Sequence, residues 1–361
     1  MSSNFGQDII VTIFGQSHSE AIGVVIDGLP AGEAVDMEQV RLFMSRRAPG
    51  STGYVTPRQE QDTPVILSGL LDGVTCGAPL CAMIENKDIR SKDYDNLRDV
   101  PRPSHSDYPA TIKFEGFNDI RGGGHFSGRM TAPLCFAGAV CKQILARRGV
   151  TVGAHIAVIG TAEDALFDSV RVDAAQLDSI GKNAFPVIDD KAAELMIAQI
   201  KEASQKQDSI GGVVECCAVG VPTGLGEPMF DGVENRLAAA IFGIPAVRGI
   251  EFGAGFAASK MRGSEHNDPY FYEDGKVKTS TNNHGGILGG ISTGMPVLFR
   301  VAFKPTASIG LEQNSVNLAQ RANSPLVIKG RHDPCVVPRA VVAVEAVAAI
   351  VILDLIKKGV K

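Results

Sequence analysis

Residues 340–353, AVVAVEAVAAIVIL, place alanine, valine and isoleucine around the whole circumference of a helix, with Glu345 as the one polar interruption. A helix with an apolar stripe can lie on a surface, whereas one that is apolar all round has to be enclosed. This run is shorter than the roughly 20 residues that cross a bilayer. It therefore predicts a buried core helix, stopped by Lys357, Lys358 and Gly359. A chain of 361 residues, 44% of them hydrophobic, can enclose such a helix in one large domain or two ordinary ones.

Short β-rich runs separated by glycine turns recur along the chain: IIVTIF (9–14), IGVVI (22–26), PVILSG, AHIAVIG, GGVVECCAVGVP and PVLFRVAF (296–303). Helical signals alternate with them. Asp36 opens DMEQ, which resembles a capping box in which Gln39 reaches back, and this helix closes near Ala48. A second helix is predicted over 131–148, where Ala132, Ala137, Gly138 and Ala139 would let another backbone pack closely. Residues 189–205 form an amphipathic pattern with Leu195, Met196 and Ile200 near one face, inside a peripheral helical insert at about 161–208. No linker divides the chain, which favours one α+β domain over residues 1–361.

A net charge of −5 opposes general affinity for nucleic acid or acidic membranes, so basic groups are read locally. The seven cysteines are an odd number and fall mostly in apolar runs, as buried thiols of a reducing cytoplasm do. The first ten residues lack a secretion signal. The expected location is cytoplasmic.

Three blocks carry chemistry. The seven histidines include two in near-identical Ser-His-Ser triplets, His18 in GQSHSE and His105 in RPSHSDY. Imidazoles beside hydroxyls in glycine-rich loops suit acid–base or phosphate chemistry. A plain β-hairpin that satisfies Ser17 and His18 locally is the competing reading, and Gly15 favours close approach of a ligand or backbone. In DIRGGGHFSGRM, three glycines, Ser127 and Arg129 precede an apolar helix and form a candidate anion cradle. The third block, IKGRHDP, holds Arg331, His332 and Asp333 before the core helix, where Asp333 either caps that helix or joins a charged site with Arg46, Arg47, Arg58, Arg102, Arg121 or Arg339. Lys304, Thr306 and Ser308 in AFKPTASIG add phosphate-binding groups.

Taken in order, GQSHSEAIGVVIDGLPAG, RPSHSDY, RGGGHFSGRMTAPLCFAGA, DSIGGVVE, GEPMFDG, RGIEFGAGF, NNHGGILGGISTG, KPTASI and KGRHDPCVVPRAV resemble the chorismate synthase family over nearly the whole chain. The resemblance implies a single domain with helices packed between two antiparallel β-sheets, assembled as a homotetramer. It also implies a lyase that converts 5-enolpyruvylshikimate-3-phosphate to chorismate and phosphate by anti-1,4 elimination, the last step of the shikimate pathway to aromatic amino acids. The cofactor implied is reduced FMN.

By the same resemblance, His18 protonates the departing phosphate, His105 lies near N1 of the reduced flavin, and Asp333 with Ser17 and Ser127 removes the C6 proton. Flavin contacts fall on His125, Phe126, Ser127, Pro245, Ala246, Gly289, Lys304, Pro305, Thr306, Ala307, Ser308 and Arg331. Arg47, Arg129 and Arg339 fall at positions that bind substrate or NADPH. No dinucleotide-binding fingerprint is present, so NADPH is expected only as a reductant and an external flavin reductase is favoured. The chain departs from the family pattern at Gln16, Ser19, Gly53, His125, Met130 and Pro245, and Arg58 is a substitute for the arginine replaced by Gly53. Two competing readings are a divergent FMN-binding paralogue acting on another phosphorylated acid, and a non-catalytic scaffold.

Overall fold

The computed structural model describes residues 3–48, 62–87, 97–328 and 333–359. Gly53, Arg58, Arg331 and His332 lie outside these residues. The β-rich runs become two five-stranded sheets. One follows the order Asn4–Phe5, Ile10–Gly15, Ala21–Asp27, Leu80–Glu85, Val65–Ser68. The other follows Val247–Phe252, Val297–Phe303, Gly212–Val219, Thr151–Ile159, Ala162–Glu163. Neighbouring strands in both are antiparallel.

Helices α1 (Met37–Ser45), α2 (Asp107–Lys113), α3 (Thr131–Arg147), α4 (Ala174–Gly181), α5 (Asp190–Gln205) and α6 (Val233–Ile241) precede the last helix, Val337–Gly359. α3 packs on the first sheet and on Thr151–Ile159, and the last helix packs on α3 and the second sheet. The two helices are thus the filling between the sheets, which is why neither shows a polar stripe. Gly138 sits directly against Ala346, where no Cβ would fit. The small residues of α3 do what their size suggested.

The last helix is longer than its apolar run, and its two buried acids each have cations. Glu345 accepts from Arg46 Nη2 at 2.9 Å and pairs with Lys142. Asp354 accepts the backbone N–H groups of Gln7, Asp8 and Ile9 at 2.9, 2.8 and 2.8 Å, and pairs with Arg236. A carboxylate that replaces water with three amides and a guanidinium tolerates burial. Among the described residues no helix is long and apolar enough to cross a membrane.

Two local expectations change. Asp36 caps α1 through Glu38 and Gln39 N–H, but its own N–H donates to Gln143 Oε1 at 2.8 Å rather than to Gln39. A side chain on α3 has replaced the local half of the box. On α5, Met196 and Ile200 are buried while Leu195 is 62% exposed. The 3.6-residue repeat turns position 195 away from the stripe that Ala192, Met196 and Ile200 form.

The outer face of the second sheet carries a charged row. Register places Glu215 between His155 and Arg300, with Glu251 beyond Arg300. His155 is fully buried, with Nδ1 3.0 Å from Asp164 Oδ2 and Nε2 3.0 Å from Glu215 Oε2. Carboxylates at both ring nitrogens require two N–H donors, so the ring is an imidazolium. Asp164 also accepts the Ile188 and Asp189 amides, at 2.6 and 2.9 Å, which ties residues 164–189 to the sheet.

Candidate active site

The first Ser-His-Ser loop joins the antiparallel strands Ile10–Gly15 and Ala21–Asp27 as a hairpin. Gly15 has φ +94, and a Cβ there would stand 2.8 Å from the Ile22 Cα. Ser19 Oγ donates within the turn, to the Gln16 and Ala21 carbonyls at 2.9 and 2.7 Å. Asn86 closes the turn from outside, donating to the Ser19 carbonyl at 2.8 Å and accepting from Arg129 Nε at 3.0 Å. Ser17 and His18 project from this loop and are buried. The Ser17 Oγ has no hydrogen-bond partner among the described residues.

The glycine run brings the two histidine loops together. Gly122, Gly123 and Gly124 all have positive φ, at 60, 83 and 55. A Cβ on Gly122 would stand 2.7 Å from His18 Nε2, and one on Gly123 would stand 3.4 Å from His105 Nε2. Consecutive glycines thus face the two imidazoles. Only residues that tolerate the left-handed region and carry no side chain can fill this bridge. Ser17 N–H donates to the Gly124 carbonyl at 3.0 Å and fixes the bridge to the first loop.

His105 lies at the start of α2. Its Nδ1 is 2.6 Å from Asp107 Oδ1, and Asp107 is gripped by Arg102 through Nε at 2.7 Å and Nη2 at 2.8 Å. Burial alone would raise the Asp107 pKa, but the Arg102 fork and His105 hold the carboxyl well below its ordinary value. Arg102 Nη1 reaches Ser308 Oγ at 3.1 Å, and Lys304 Nζ donates to the Ser104 carbonyl. The segment 304–308 is therefore joined to the second histidine loop across about 200 residues of sequence. An open cleft of about 620 Å³ adjoins His105, lined also by Arg102, Ser104, Tyr108 and Asn314.

A separate cluster holds three arginines. Arg47, 1% exposed, pairs with Asp62 and donates from Nε to Thr131 Oγ1 at 3.0 Å. Arg129 pairs with the other oxygen of Asp62. Burial by itself would raise the Asp62 pKa, and the two guanidiniums outweigh that and lower it. Arg339 donates to the Arg47 carbonyl at 3.1 Å and to Asp333 Oδ2 at 2.6 Å. Among the described residues these guanidiniums pair with Asp62 and Asp333, and clustered guanidiniums suit an anionic ligand. Asp333 pairs with Arg339, and the last helix starts four residues later, at Val337.

The remaining expected residues are placed less closely together. His125 is engaged at both ring nitrogens, 2.7 Å from the Gly15 carbonyl and 2.9 Å from Ser3 Oγ. The carbonyl fixes the proton on Nδ1, so Nε2 accepts from Ser3. Phe126 is 40% exposed beside Phe114, and the Ser127 Oγ accepts the Arg129 N–H at 3.3 Å. Lys304 N–H donates to the Ala246 carbonyl at 3.0 Å, which puts Pro245 and Ala246 next to the segment Lys304, Pro305, Thr306, Ala307, Ser308. Ala246 has φ +73, an uncommon conformation for a residue with a Cβ. Gly289 lies at a hairpin turn that packs on residues 224–233.

Asp62, Asn86 and Asp107 are the organising residues that the sequence reading did not single out. For Asp107 a signal existed in the His-x-Asp spacing of RPSHSDY. Asp62 and Asn86 carry no local signal, because their partners are 15 to 70 residues away.

Comparison with known proteins bears on this arrangement. The profile of the family described as chorismate synthase matches residues 9–356. A chorismate synthase of Dehalococcoides mccartyi is 46% identical over 357 residues, covering 98% of this chain and 96% of that protein. One of Pyrococcus abyssi is 47% identical over 352 residues, covering 97% and 96%. A crystal structure of chorismate synthase superposes with a TM-score of 0.77 at 27% identity, covering 98% of this chain and 93% of that one. With the family profile and relatives spanning nearly the whole chain, and two sheets enclosing the helices beneath paired histidine loops, the chain belongs to the chorismate synthase family.

Proposed function

We propose that this chain converts 5-enolpyruvylshikimate-3-phosphate to chorismate and phosphate by anti-1,4 elimination, with reduced FMN bound. The observation that carries this reading is the approach of His18 and His105 to adjacent glycines, with Arg129 tied to the His18 loop through Asn86. Phosphate loss needs an acid at the leaving oxygen and cations that hold the three anionic groups of the substrate in place of water. His18 is the acid, and Arg47, Arg129 and Arg339 hold the anionic groups. Asp333, with Ser17 and Ser127 as relay hydroxyls, takes the proton from C6.

The residues present fit FMN. The Lys304 ammonium and the Thr306 Oγ1, a buried hydroxyl without a partner among the described residues, suit its phosphate. Ser308, Phe126, Ser127, Pro245, Ala246, Gly289 and His105 complete the group that would hold it. Reduced FMN supplies transient electron donation that eases cleavage of the C–O bond and is recovered at the end. The protein's own part is to exclude water, to fix the substrate between His18 and the arginines, and to move two protons. A homotetramer served by an external flavin reductase accompanies this reading.

The test is anaerobic turnover of 5-enolpyruvylshikimate-3-phosphate with dithionite-reduced FMN. Catalytic release of both chorismate and phosphate is expected. FMN binding without either product would instead mark a divergent paralogue.

A further inference from the structure

We propose that Asp107 is a positioning residue for His105, holding the ring proton on Nδ1 so that Nε2 is the nitrogen turned toward the glycine bridge. Asp107 Oδ1 is 2.6 Å from Nδ1, and Arg102 Nη2 lies 3.1 Å from the same nitrogen. Arg102 can only donate, so Nδ1 faces one donor and one acceptor. If Nδ1 carried a lone pair, that lone pair would meet a carboxylate oxygen at 2.6 Å. The carboxylate cannot relieve the clash by taking a proton, because Arg102 grips both its oxygens and its own backbone N–H donates to Oδ2 at 3.0 Å. Nδ1–H donates to Asp107 Oδ1, and Arg102 Nη2, which already donates to that same oxygen at 2.8 Å, needs no acceptor at Nδ1.

The assignment explains why a buried ion pair stands behind an imidazole that is itself only 19% exposed. Arg102 neutralises Asp107 and fixes its orientation, so the carboxylate aims the ring and selects the tautomer. Nε2, opposite Gly123, is left as the nitrogen presented to the glycine bridge. Arg102 Nη1 also holds Ser308 at 3.1 Å, so the residue that aims His105 is fixed to the segment proposed to take the flavin phosphate. The consequence for flavin binding rests on the proposed function. The protonation pattern does not.

Two measurements on the full chain test this. Protein labelled with ¹⁵N-histidine and free of flavin is observed about two pH units above the ordinary imidazole pKa, with the His105 signals identified by their loss in His105→Asn. A protonated Nδ1 and a bare Nε2 are expected, and in Asp107→Asn the proton should distribute over both nitrogens. A bare Nδ1 with the proton on Nε2 in the unsubstituted protein overturns the proposal.

The second measurement is FMN affinity by fluorescence quenching across pH. Asp107→Asn should weaken binding roughly tenfold and change its pH profile, yet change it less than about twofold when His105 is already Asn. Equal losses in both backgrounds would make Asp107 merely structural and overturn the positioning role. If Asp107→Asn does not fold, Asp107→Glu keeps Arg102 paired while displacing the oxygen from Nδ1, and the same cycle decides. A protein that binds no FMN would sink the proposed function, while the nitrogen pattern would still decide this assignment.

Discussion

Gly122 lies against His18 so closely that a Cβ on the glycine would stand 2.7 Å from the imidazole Nε2 and 2.6 Å from Ser17 Oγ. Gly122→Ala should therefore displace the ring as well as strain a backbone at φ +60. The backbone term is about 1–2 kcal/mol, while misplacing a catalytic acid by about 1 Å costs on the order of 10²-fold in turnover. The expected result is a folded protein with a melting point lowered by a few degrees and severely reduced kcat. Gly128→Ala, with nothing within 4 Å of its added methyl, is the control. Equal activity of the two variants would remove the bridge from the catalytic geometry.

His18→Ala should suppress elimination by roughly 10²–10⁴-fold, the range for loss of a general acid, while FMN still binds. Steady-state phosphate release and flavin fluorescence separate the two effects. Unchanged turnover would take the phosphate-acid role away from His18.

Asp62→Asn should be among the most destabilising single changes in the site. It removes the carboxylate that the buried guanidiniums of Arg47 and Arg129 share, and breaking a buried ion pair costs about 3–5 kcal/mol. Because Asp62 has a lowered pKa in the fold, its contribution is present above the ordinary carboxylate pKa and is lost as pH falls through the folded value. Urea unfolding at pH 7 and at low pH measures both parts. A variant as stable as the parent at pH 7 would contradict the network.

His155 gives a pH dependence of the opposite sense. Burial would lower its pKa, but the bonds to Asp164 and Glu215 outweigh burial and raise it. Its stabilisation is therefore complete below the ordinary imidazole pKa of about 6.5 and is lost as pH rises through the higher folded value. His155→Gln should unfold at lower urea than the parent near pH 6, with the gap narrowing toward alkaline pH. A gap that stays constant or widens would refute the imidazolium.

Lys304→Ala should weaken FMN binding and flatten its dependence on salt, since a contact between ammonium and phosphate is screened as ionic strength rises. Titrations at two salt concentrations suffice. An unchanged salt slope would place the phosphate elsewhere.

The strands and the enclosed helix were legible because their signals are local: alternation in IGVVI, and an unbroken apolar circumference at 340–353. The histidine loops were legible as chemistry for the same reason, since Ser-His-Ser among glycines serves no core. Asp62 was not, because its meaning comes from two arginines that reach it from just past α1 and just before α3. Gln39 shows the converse. Its local pattern was right for a capping box, yet Gln143 from a neighbouring helix took the contact. Leu195 was misplaced by one position on a helix whose other apolar residues fit their stripe. The Asp107 clamp lay in plain view as a spacing of two, but its direction toward Nδ1 depends on Arg102, which only the fold aims.

The clamp at Asp354 has a consequence for how the molecule comes into being. The Ile9 amide meets its acceptor 345 residues later in the chain, an interval of roughly 20–70 s at cellular rates of synthesis. By the end of that time the strands of both sheets have been made, but of the two helices that fill the space between them only α3 exists. A ribosome paused before residue 337 would carry two half-built layers with bare apolar faces and an opening strand without its anchor. The nascent chain is then at its most adhesive just before this helix emerges, and the helix closes it in one event.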